Sequence, residues 1–270
     1  MTEGSGNTTK AKLLSPEEPG PYKIISPFAE KPILLVCDHA SCLFPKSLGD
    51  MGLDPFARRC HLAVDIGAGA LTESLAESLG VTAVLQNYSR LIVDCNRQLM
   101  DPGAFLEYGD GILVPGNRNL HQADKDLRAN ALYWPYHRAI EEQVDRLRNA
   151  GPLPAFVAIH SFTPVLNGES RAFQIGVLWD KDERMRQIFL EGFRDAGYYV
   201  GDNEPYSGKA PQDFTIDHHA EEIDLPHIGI EIRQDLLRNK KGVAQIAGVM
   251  HKIIESIPER LGMKDERISA

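Results

Sequence analysis

Apolar residues are distributed along the chain in two alternating patterns. Short continuous apolar runs bounded by turn residues indicate buried strands, whereas apolar residues spaced three or four positions apart indicate amphipathic helices. The continuous runs predict seven strands, at residues 33–37, 81–86, 90–95, 155–160, 173–179, 198–201 and 227–233. The helical spacing predicts four helices, at residues 65–80, 126–151, 182–197 and 242–260, the second with a break at Pro135.

Strands that alternate with helices predict a three-layer α/β/α sandwich with a central mixed, mostly parallel sheet. Because the sequence has no internal repeat and no strong linker, we expect residues 21–270 to form a single domain. Residues 1–20 are polar and rich in Gly, Ser and Thr, which predicts a mobile tail or an arm lying on the surface. Two long irregular segments, residues 98–123 and 201–226, are predicted to be functional loops.

Composition and charge exclude several classes of function. The formal net charge of −9 leaves no basic surplus for binding nucleic acid. No apolar run approaches the roughly 18 residues of a membrane span, and the N-terminus lacks the apolar segment of a secretory signal. The four cysteines show no CxxC spacing, which favours reduced thiols in a cytoplasm. We therefore expect a soluble, cytoplasmic protein that binds neither nucleic acid nor membranes.

Three of the predicted strands carry a chemically active side chain at or near their carboxyl ends, namely His39, His160 and Glu231. In open α/β sheets, ligands bind in the crevice beyond those ends. Two imidazoles and a carboxylate can hold a zinc ion with an open position for water. A nearby glutamate, which need not be a ligand, can move the proton of that water, and burial in an apolar strand suits Glu231 to this work.

The third metal ligand has three candidates: Asp65, Cys42 and Asp38. We prefer Asp65, which stands where the segment HLAVDIGAG enters a predicted helix. Asp65 could instead be the N-cap of that helix, and each histidine could be an ordinary structural residue at a strand end. Cys42, three residues after His39, would be a competent soft ligand.

A further cluster lies in the segment NYSRLIVDCNR, where Arg90 begins a predicted strand and Asn96 and Arg97 follow it. Arginines can grip carboxylates through bidentate hydrogen bonds. These residues therefore predict a small acidic substrate, although Arg90 could also be a structural anchor for a loop.

Seven blocks resemble one known family, in the expected order from about residue 33 to residue 237. They are CDHAS, HLAVDIGAGAL, YSRLIVDCNR, PYH, IHSFTP, NEPYS and EIRQDL. In these blocks the chain resembles the N-formylglutamate amidohydrolases and, more distantly, the zinc carboxypeptidase and aspartoacylase folds. The resemblance implies a zinc-dependent hydrolase domain that cleaves N-formyl-L-glutamate to formate and glutamate, within histidine degradation.

The same resemblance implies roles for individual residues. The implied zinc ligands are His39 and His160, the general base is Glu231, the residue that polarises the carbonyl is Arg90, and the carboxylate-binding pair is Asn96 and Arg97. The wider fold usually carries a glutamate where Cys42 stands here, so the second ligand is either Asp65 or Cys42. Two alternatives follow from this departure: a hydrolase that uses Cys42 with a histidine, and a homologue that binds a small carboxylate without catalysis.

Overall fold

The computed structural model describes residues 12–209 and 213–263. Seven strands form the central sheet: β1 (Tyr22–Ile25), β2 (Ile33–Cys37), β3 (Thr82–Gln86), β6 (Ala155–Phe162), β9 (Ile175–Leu178), β10 (Val200–Asp202) and β11 (His227–Arg233). Two short hairpins stand outside it, formed by β4 (Tyr108–Gly109) with β5 (Ile112–Leu113) and by β7 (Val165–Leu166) with β8 (Glu169–Ser170). The helices are α1 (Ala68–Leu79), α2 (Gln122–Arg128), α3 (Trp134–Ala150), α4 (Arg186–Asp195), α5 (Phe214–His219), α6 (Lys240–Glu255) and α7 (Ile257–Arg260).

The strand order across the sheet is β1-β3-β2-β6-β11-β9-β10. Strands β3, β2, β6 and β11 run parallel to one another, whereas β1 and β9 are antiparallel to their inner neighbours and β10 follows the direction of β9. One apolar core packs under α1, α4 and α6, and a second packs under α3 and α5 on the opposite face. The predicted three-layer sandwich with a mixed, mostly parallel sheet is therefore confirmed.

Burial on both faces explains why the strands were readable as continuous apolar runs. Every residue of β2, β3, β6 and β9 is buried. The bounds of β2 and β11 agree with the predicted segments, and α1 ends as predicted at Gly80, which adopts the left-handed conformation of a helix C-cap.

The strand predicted at residues 90–95 is absent, and this prediction is wrong. The segment forms successive turns instead, in which the amides of Ile92 and Arg97 donate to the carbonyl oxygens of Ser89 and Asp94. The Asp94 carboxylate also accepts a hydrogen bond from the Asn96 amide. Polar side chains that hydrogen-bond to nearby backbone compete with strand pairing. Here the segment forms turns and not a strand, although it is apolar and buried.

The helix predicted at residues 126–151 is interrupted. It begins earlier, at Gln122, and a turn of π-helix at Ala129–Tyr133 separates α2 from α3. Pro135 is the second residue of α3, which directly follows the π-helical turn, so the predicted break lies within one turn of the observed interruption.

The described part of the predicted N-terminal arm lies against the domain. The side chain of Leu13 is buried, and its carbonyl oxygen accepts a hydrogen bond from Ser47. Further on, the Tyr88 hydroxyl donates to the carbonyl oxygen of Pro19. Residues 1–11 lie outside the described chain, as do residues 210–212 of the second predicted functional loop. None of the helices in the described ranges is both long enough and apolar enough to span a bilayer.

A candidate metal centre in the main cavity

The central strands β2, β6 and β11 deliver their carboxyl ends to one cavity of about 430 Å³. The structure brings all seven predicted site residues to the wall of this cavity: His39, Asp65, Arg90, Asn96, Arg97, His160 and Glu231. This convergence follows from strand order, because β2 and β11 flank β6 and all three run in the same direction. The ends of parallel neighbours meet at one edge of a sheet.

His39, Asp65 and His160 form a buried cluster at the floor of the cavity. Oδ2 of Asp65 lies 2.9 Å from Nδ1 of His160 and 3.3 Å from Nδ1 of His39. One donor atom from each residue lies within 4.8 Å of the other two. The two imidazoles thus present the same kind of nitrogen to the same carboxylate oxygen.

The chain places Asp65 beside the histidines through a close backbone approach. The Asp65 amide donates to the His39 carbonyl oxygen, and a Cβ on Gly69 would lie only 2.5 Å from the Ala40 carbonyl oxygen. Glycine at this position therefore lets the start of α1 lie against the loop that follows β2. The N-cap of α1 is Gly67, so the alternative role of Asp65 as a helix cap is not what the structure shows.

Each histidine of the cluster faces a further carboxylate with its other ring nitrogen. Nε2 of His39 donates to Oδ1 of Asp94 over 2.7 Å. Nε2 of His160 lies 3.2 Å from Oδ2 of Asp38, whose Oδ1 accepts hydrogen bonds from Tyr136 and Thr215. Asp38, one of the three candidates for the third ligand, therefore lies behind His160 and not beside Asp65.

This donor set fits a divalent metal ion. In a tetrahedral zinc site with bonds of 2.0–2.1 Å, neighbouring donor atoms lie roughly 3.3 Å apart, close to the separations around Asp65 Oδ2. Metal-binding histidines also characteristically donate their second N–H to a carboxylate, as His39 does here. Burial lowers the pKa of His160, but Asp38 and Asp65 outweigh it and raise that pKa well above its ordinary value. A metal ion bound between His160 and Asp65 would replace the proton that Nδ1 of His160 directs at Oδ2 of Asp65.

Cys42 is separated from this cluster. It is partly exposed, and it is absent both from the residues that line the cavity and from the metal-binding groups found in the described chain. The backbone from residue 40 to residue 45 is irregular. The three-residue spacing from His39 to Cys42 therefore does not give them the shared face that it would give on a helix.

Glu231 lies on β11 in direct register with His160 on β6, so that both side chains project from the same face of the sheet. Its Oε2 is buried and has no hydrogen-bond partner among the described residues. Burial raises the pKa of Glu231 to about 7, against the opposing effect of His160. A carboxyl group with this pKa can both accept and release a proton near neutrality.

Arg90 is tied to the same network through Asp94. Its Nε and Nη2 donate to Oδ2 of Asp94 over 3.0 and 2.6 Å, and its Nη1 lies 3.6 Å from Oδ1 of Asp65. Asp94 therefore orients His39 with one oxygen and Arg90 with the other. The remaining edge of the Arg90 guanidinium faces the cavity.

Asn96 is held in a single orientation. Its Oδ1 accepts a hydrogen bond from the Thr215 backbone amide over 2.9 Å, so its Nδ2 is the donor and contacts the carboxyl group of Asp213. Beside it, Arg97 donates from Nη1 to the Asn96 carbonyl oxygen. These side chains give one wall of the cavity a set of N–H donors.

Two acidic residues of the cavity were missed by reasoning from the sequence, namely Asp94 and Asp213. Asp94 stands directly after an apolar run, which is the same signal that selected His39 and Glu231, and it could have been found in this way. Asp213 has no such signal, because it lies in an irregular segment of the long loop before α5.

Behind the cavity wall, His137 and His219 form a buried pair. Nε2 of His137 donates to the Cys95 carbonyl oxygen over 3.0 Å, and Nδ1 of His137 lies 2.8 Å from Nε2 of His219. Burial lowers the pKa of His137 to about 4, so the ring is neutral at pH 7 and its Nδ1 accepts a hydrogen bond from the Nε2–H of His219. The neutral His219 ring then has its lone pair on Nδ1.

The position of Asp94 leads to a first prediction. We expect Asp94→Asn to weaken metal affinity by about 10- to 100-fold, since outer partners of metal ligands typically contribute that much. Titration of the metal-free variant with Zn²⁺ measures the effect. Asp101→Asn, a change to a carboxylate that caps a nearby 3₁₀ turn, is the matched control and should leave the affinity unchanged. Equal affinities for the Asp94 variant and wild type would show that Asp94 does not support a metal ligand.

Comparison with known proteins agrees with this architecture. A sequence model of the N-formylglutamate amidohydrolase family matches residues 31–238 of the chain. A solved gene product of Agrobacterium tumefaciens shares 34% identity with a TM-score of 0.89, over 93% of this chain and 100% of its own. The N-formylglutamate amidohydrolase of Ralstonia eutropha JMP134 shares 20% identity with a TM-score of 0.66, over 90% of this chain and 98% of its own, which is a likeness of fold. A search of curated protein sequences found no match.

Proposed function

Because the chain belongs to the N-formylglutamate amidohydrolase family and is therefore an amide hydrolase, we propose that zinc is its metal and that its substrate is N-formyl-L-glutamate or a related small N-acyl amino acid. The observation that carries this proposal is the convergence of His39, Asp65 and His160 in one cavity, beside an Oε2 of Glu231 that has no hydrogen-bond partner in the described part of the chain. Two imidazoles and one carboxylate with space for water are typical of catalytic zinc sites.

In this proposal the two histidines and Asp65 hold the ion, and Asp94 and Asp38 orient the imidazoles from behind. When bound, the ion supplies Lewis acidity, which lowers the pKa of a water and polarises a carbonyl oxygen. The buried setting of the ligands keeps these interactions strong, because little solvent is present to screen them.

Glu231 is the proposed general base. Its Oε2 takes a proton from the attacking water as the water oxygen bonds to the formyl carbon. The same carboxyl group then gives the proton to the amide nitrogen as the C–N bond breaks, which releases formate and the free amino acid. The N–H groups of Arg90 that face the cavity stabilise the oxygen that becomes negative in this step.

Asn96 and Arg97 are the residues proposed to bind the substrate carboxylates. The fixed orientation of the Asn96 amide directs a donor toward the cavity, and the Arg97 guanidinium adds positive charge beside it. Holding the substrate at both ends makes the attack effectively intramolecular.

The proposed carboxylate binding by Arg97 leads to a second prediction. We expect Arg97→Lys to raise KM for N-formyl-L-glutamate by about 10-fold or more with a smaller change in kcat, because a lysine cannot form the paired hydrogen bonds of a guanidinium. Steady-state kinetics on N-formyl-L-glutamate and on an uncharged N-formyl amino acid amide separates the effects. For the uncharged compound, KM should change little. An equal rise in KM for both compounds would show that Arg97 does not recognise the substrate carboxylate.

The experiment that tests the whole proposal combines elemental analysis of protein purified without a tag with a panel of N-formyl and N-acyl amino acids. We expect a divalent metal near one equivalent in the cavity, and release of formate that chelation abolishes and zinc restores. Inhibition by thiol alkylation with no effect of chelation would favour the cysteine hydrolase. Tight binding of acidic compounds without turnover would favour the non-catalytic homologue.

The proposed setting is histidine breakdown in the cytoplasm. The four cysteines are all free in the structure, which supports a reducing compartment. A buried active site with a cavity of this size supports a small substrate.

A further inference from the structure

Helices α3 and α5 bring a second group of metal-binding side chains together, outside the cavity. Glu141 of α3 and the adjacent His218 and His219 of α5 have donor atoms within 4.8 Å of one another. None of the three lines the active-site cavity. On its inner side, His219 contacts the buried ring of His137, which hydrogen-bonds the Cys95 carbonyl oxygen.

The spacing of the group suits an ion better than it suits direct hydrogen bonds. Nε2 of His218 lies 3.6 Å from Oε1 of Glu141, which is too long for a hydrogen bond. It is close to the roughly 3.3 Å that separates neighbouring donors of a tetrahedral zinc site. On the other side of the ring, Nδ1 of His218 lies 3.3 Å from Oε2 of Glu222, the arrangement of a carboxylate that orients a metal-binding imidazole.

His219 has a defined outer partner as well. Its Nε2 is engaged with His137, whose other nitrogen donates to the Cys95 carbonyl oxygen. The remaining nitrogen, Nδ1, therefore has the lone pair that a metal requires. The ring of His218 stacks on Phe214 with centroids 5.2 Å apart, which restricts its rotation. Both imidazoles are thus held before any ion arrives, and little ordering entropy opposes binding.

We propose that Glu141, His218 and His219 form a second, peripheral binding site for a divalent transition-metal ion. The site would bind ions that prefer imidazole, such as Zn²⁺ and Ni²⁺. The side chains of Glu141 and His218 are 51% and 36% exposed, so the site is open to solvent and its ion exchanges freely. Hard ions such as Mg²⁺ prefer oxygen donors and are not bound there.

Equilibrium dialysis against Zn²⁺, with the metal counted per chain, tests the site in the full-length protein. We expect wild type to bind two equivalents, and His218→Ala to lose the weaker one. Glu141→Gln should weaken it by at least about tenfold, the lower end of what even an outer partner contributes. A large excess of Mg²⁺ should leave both equivalents in place.

His251→Ala is the matched control. His251 is also a surface histidine beside a glutamate, since its Nε2 lies 3.7 Å from Oε2 of Glu255, but no second imidazole accompanies it in the described chain. This variant should keep both equivalents. An unchanged count in His218→Ala, or an equal loss in His251→Ala, would overturn the proposal.

A spectroscopic measurement tests His219 without removing its buried ring. Cu²⁺ added to Asp65→Asn protein should give an electron paramagnetic resonance spectrum with coupling to two imidazole nitrogens, reduced to one in the double variant with His218→Ala. Coupling to a single nitrogen before that second change would exclude His219. If the cavity itself holds no ion, wild type binds one equivalent that His218→Ala removes and Asp65→Asn leaves, so failure of the cavity site is distinguishable from failure of this one.

Discussion

Replacing Glu231 by glutamine is expected to lower kcat by about 10²- to 10⁴-fold, the range that general acid–base catalysis contributes. The substitution removes only the proton acceptor, because glutamine has the same shape and length. Since Oε2 of Glu231 has no hydrogen-bond partner among the described residues, no bond within the protein is lost with it. Metal content and melting temperature should therefore match those of wild type. The fall in kcat can then be attributed to loss of the general base.

The control for this variant is Asp213→Asn, a change to another carboxyl group of the same cavity, one with no proposed role in proton transfer. The oxygen of an asparagine can still accept the hydrogen bond from Asn96, so kcat should fall by less than about 10-fold, well below the contribution of a general base. Formate release at saturating substrate measures both variants. Activity like that of wild type in the Glu231 variant would remove the proposed base.

The fold was predictable because the buried strands consist mainly of consecutive apolar residues. Strands covered by helices on both faces have no solvent side, so β2 is an unbroken apolar run and β6 is apolar up to His160. The order of strands in the sheet is a different matter. The pairing of Glu231 with His160 depends on contacts between residues 71 positions apart in the sequence, which no local pattern encodes.

The segment from residue 90 to residue 97 shows where local pattern misleads. Its apolar run is buried, as the pattern indicates, but against loops and the π-helical turn and not within the sheet. Arg128 donates to the Ile92 carbonyl oxygen and Asn117 donates to the Leu91 carbonyl oxygen, so side chains satisfy the backbone that a strand neighbour would otherwise satisfy. Asp94 follows this apolar run and could have been selected for that reason, but its bonds to both Arg90 and His39 appear only in the structure.

The choice between Asp65 and Cys42 as second ligand was open in the sequence for a related reason. A residue three positions after a histidine shares its face only on a helix, and the loop after β2 is irregular. Asp65 is distant in sequence and reaches the site because a glycine in α1 permits a close backbone approach to Ala40. Neither the shape of the loop nor that approach is visible without the structure.

Replacing Asp65 by asparagine is expected to weaken metal affinity by more than about 100-fold, beyond the range that an outer partner contributes. Oδ2 of Asp65 is the single atom that both imidazoles face. An amide oxygen in its place is a neutral and weaker donor for a divalent ion, and the negative charge that favours binding is lost. Activity should fall in parallel and recover partly at high zinc concentration.

Cys42→Ser is the matched control for this substitution, because it tests the rival ligand with a change of one atom. We expect it to retain metal and activity, since Cys42 lies outside the cavity lining and the metal-binding cluster. Zinc titration of the two metal-free variants, read out as bound metal and as formate release, compares them directly. Loss of metal in Cys42→Ser with retention in Asp65→Asn would transfer the ligand role to the thiol, and it would require the loop after β2 to close over the cavity when the ion binds.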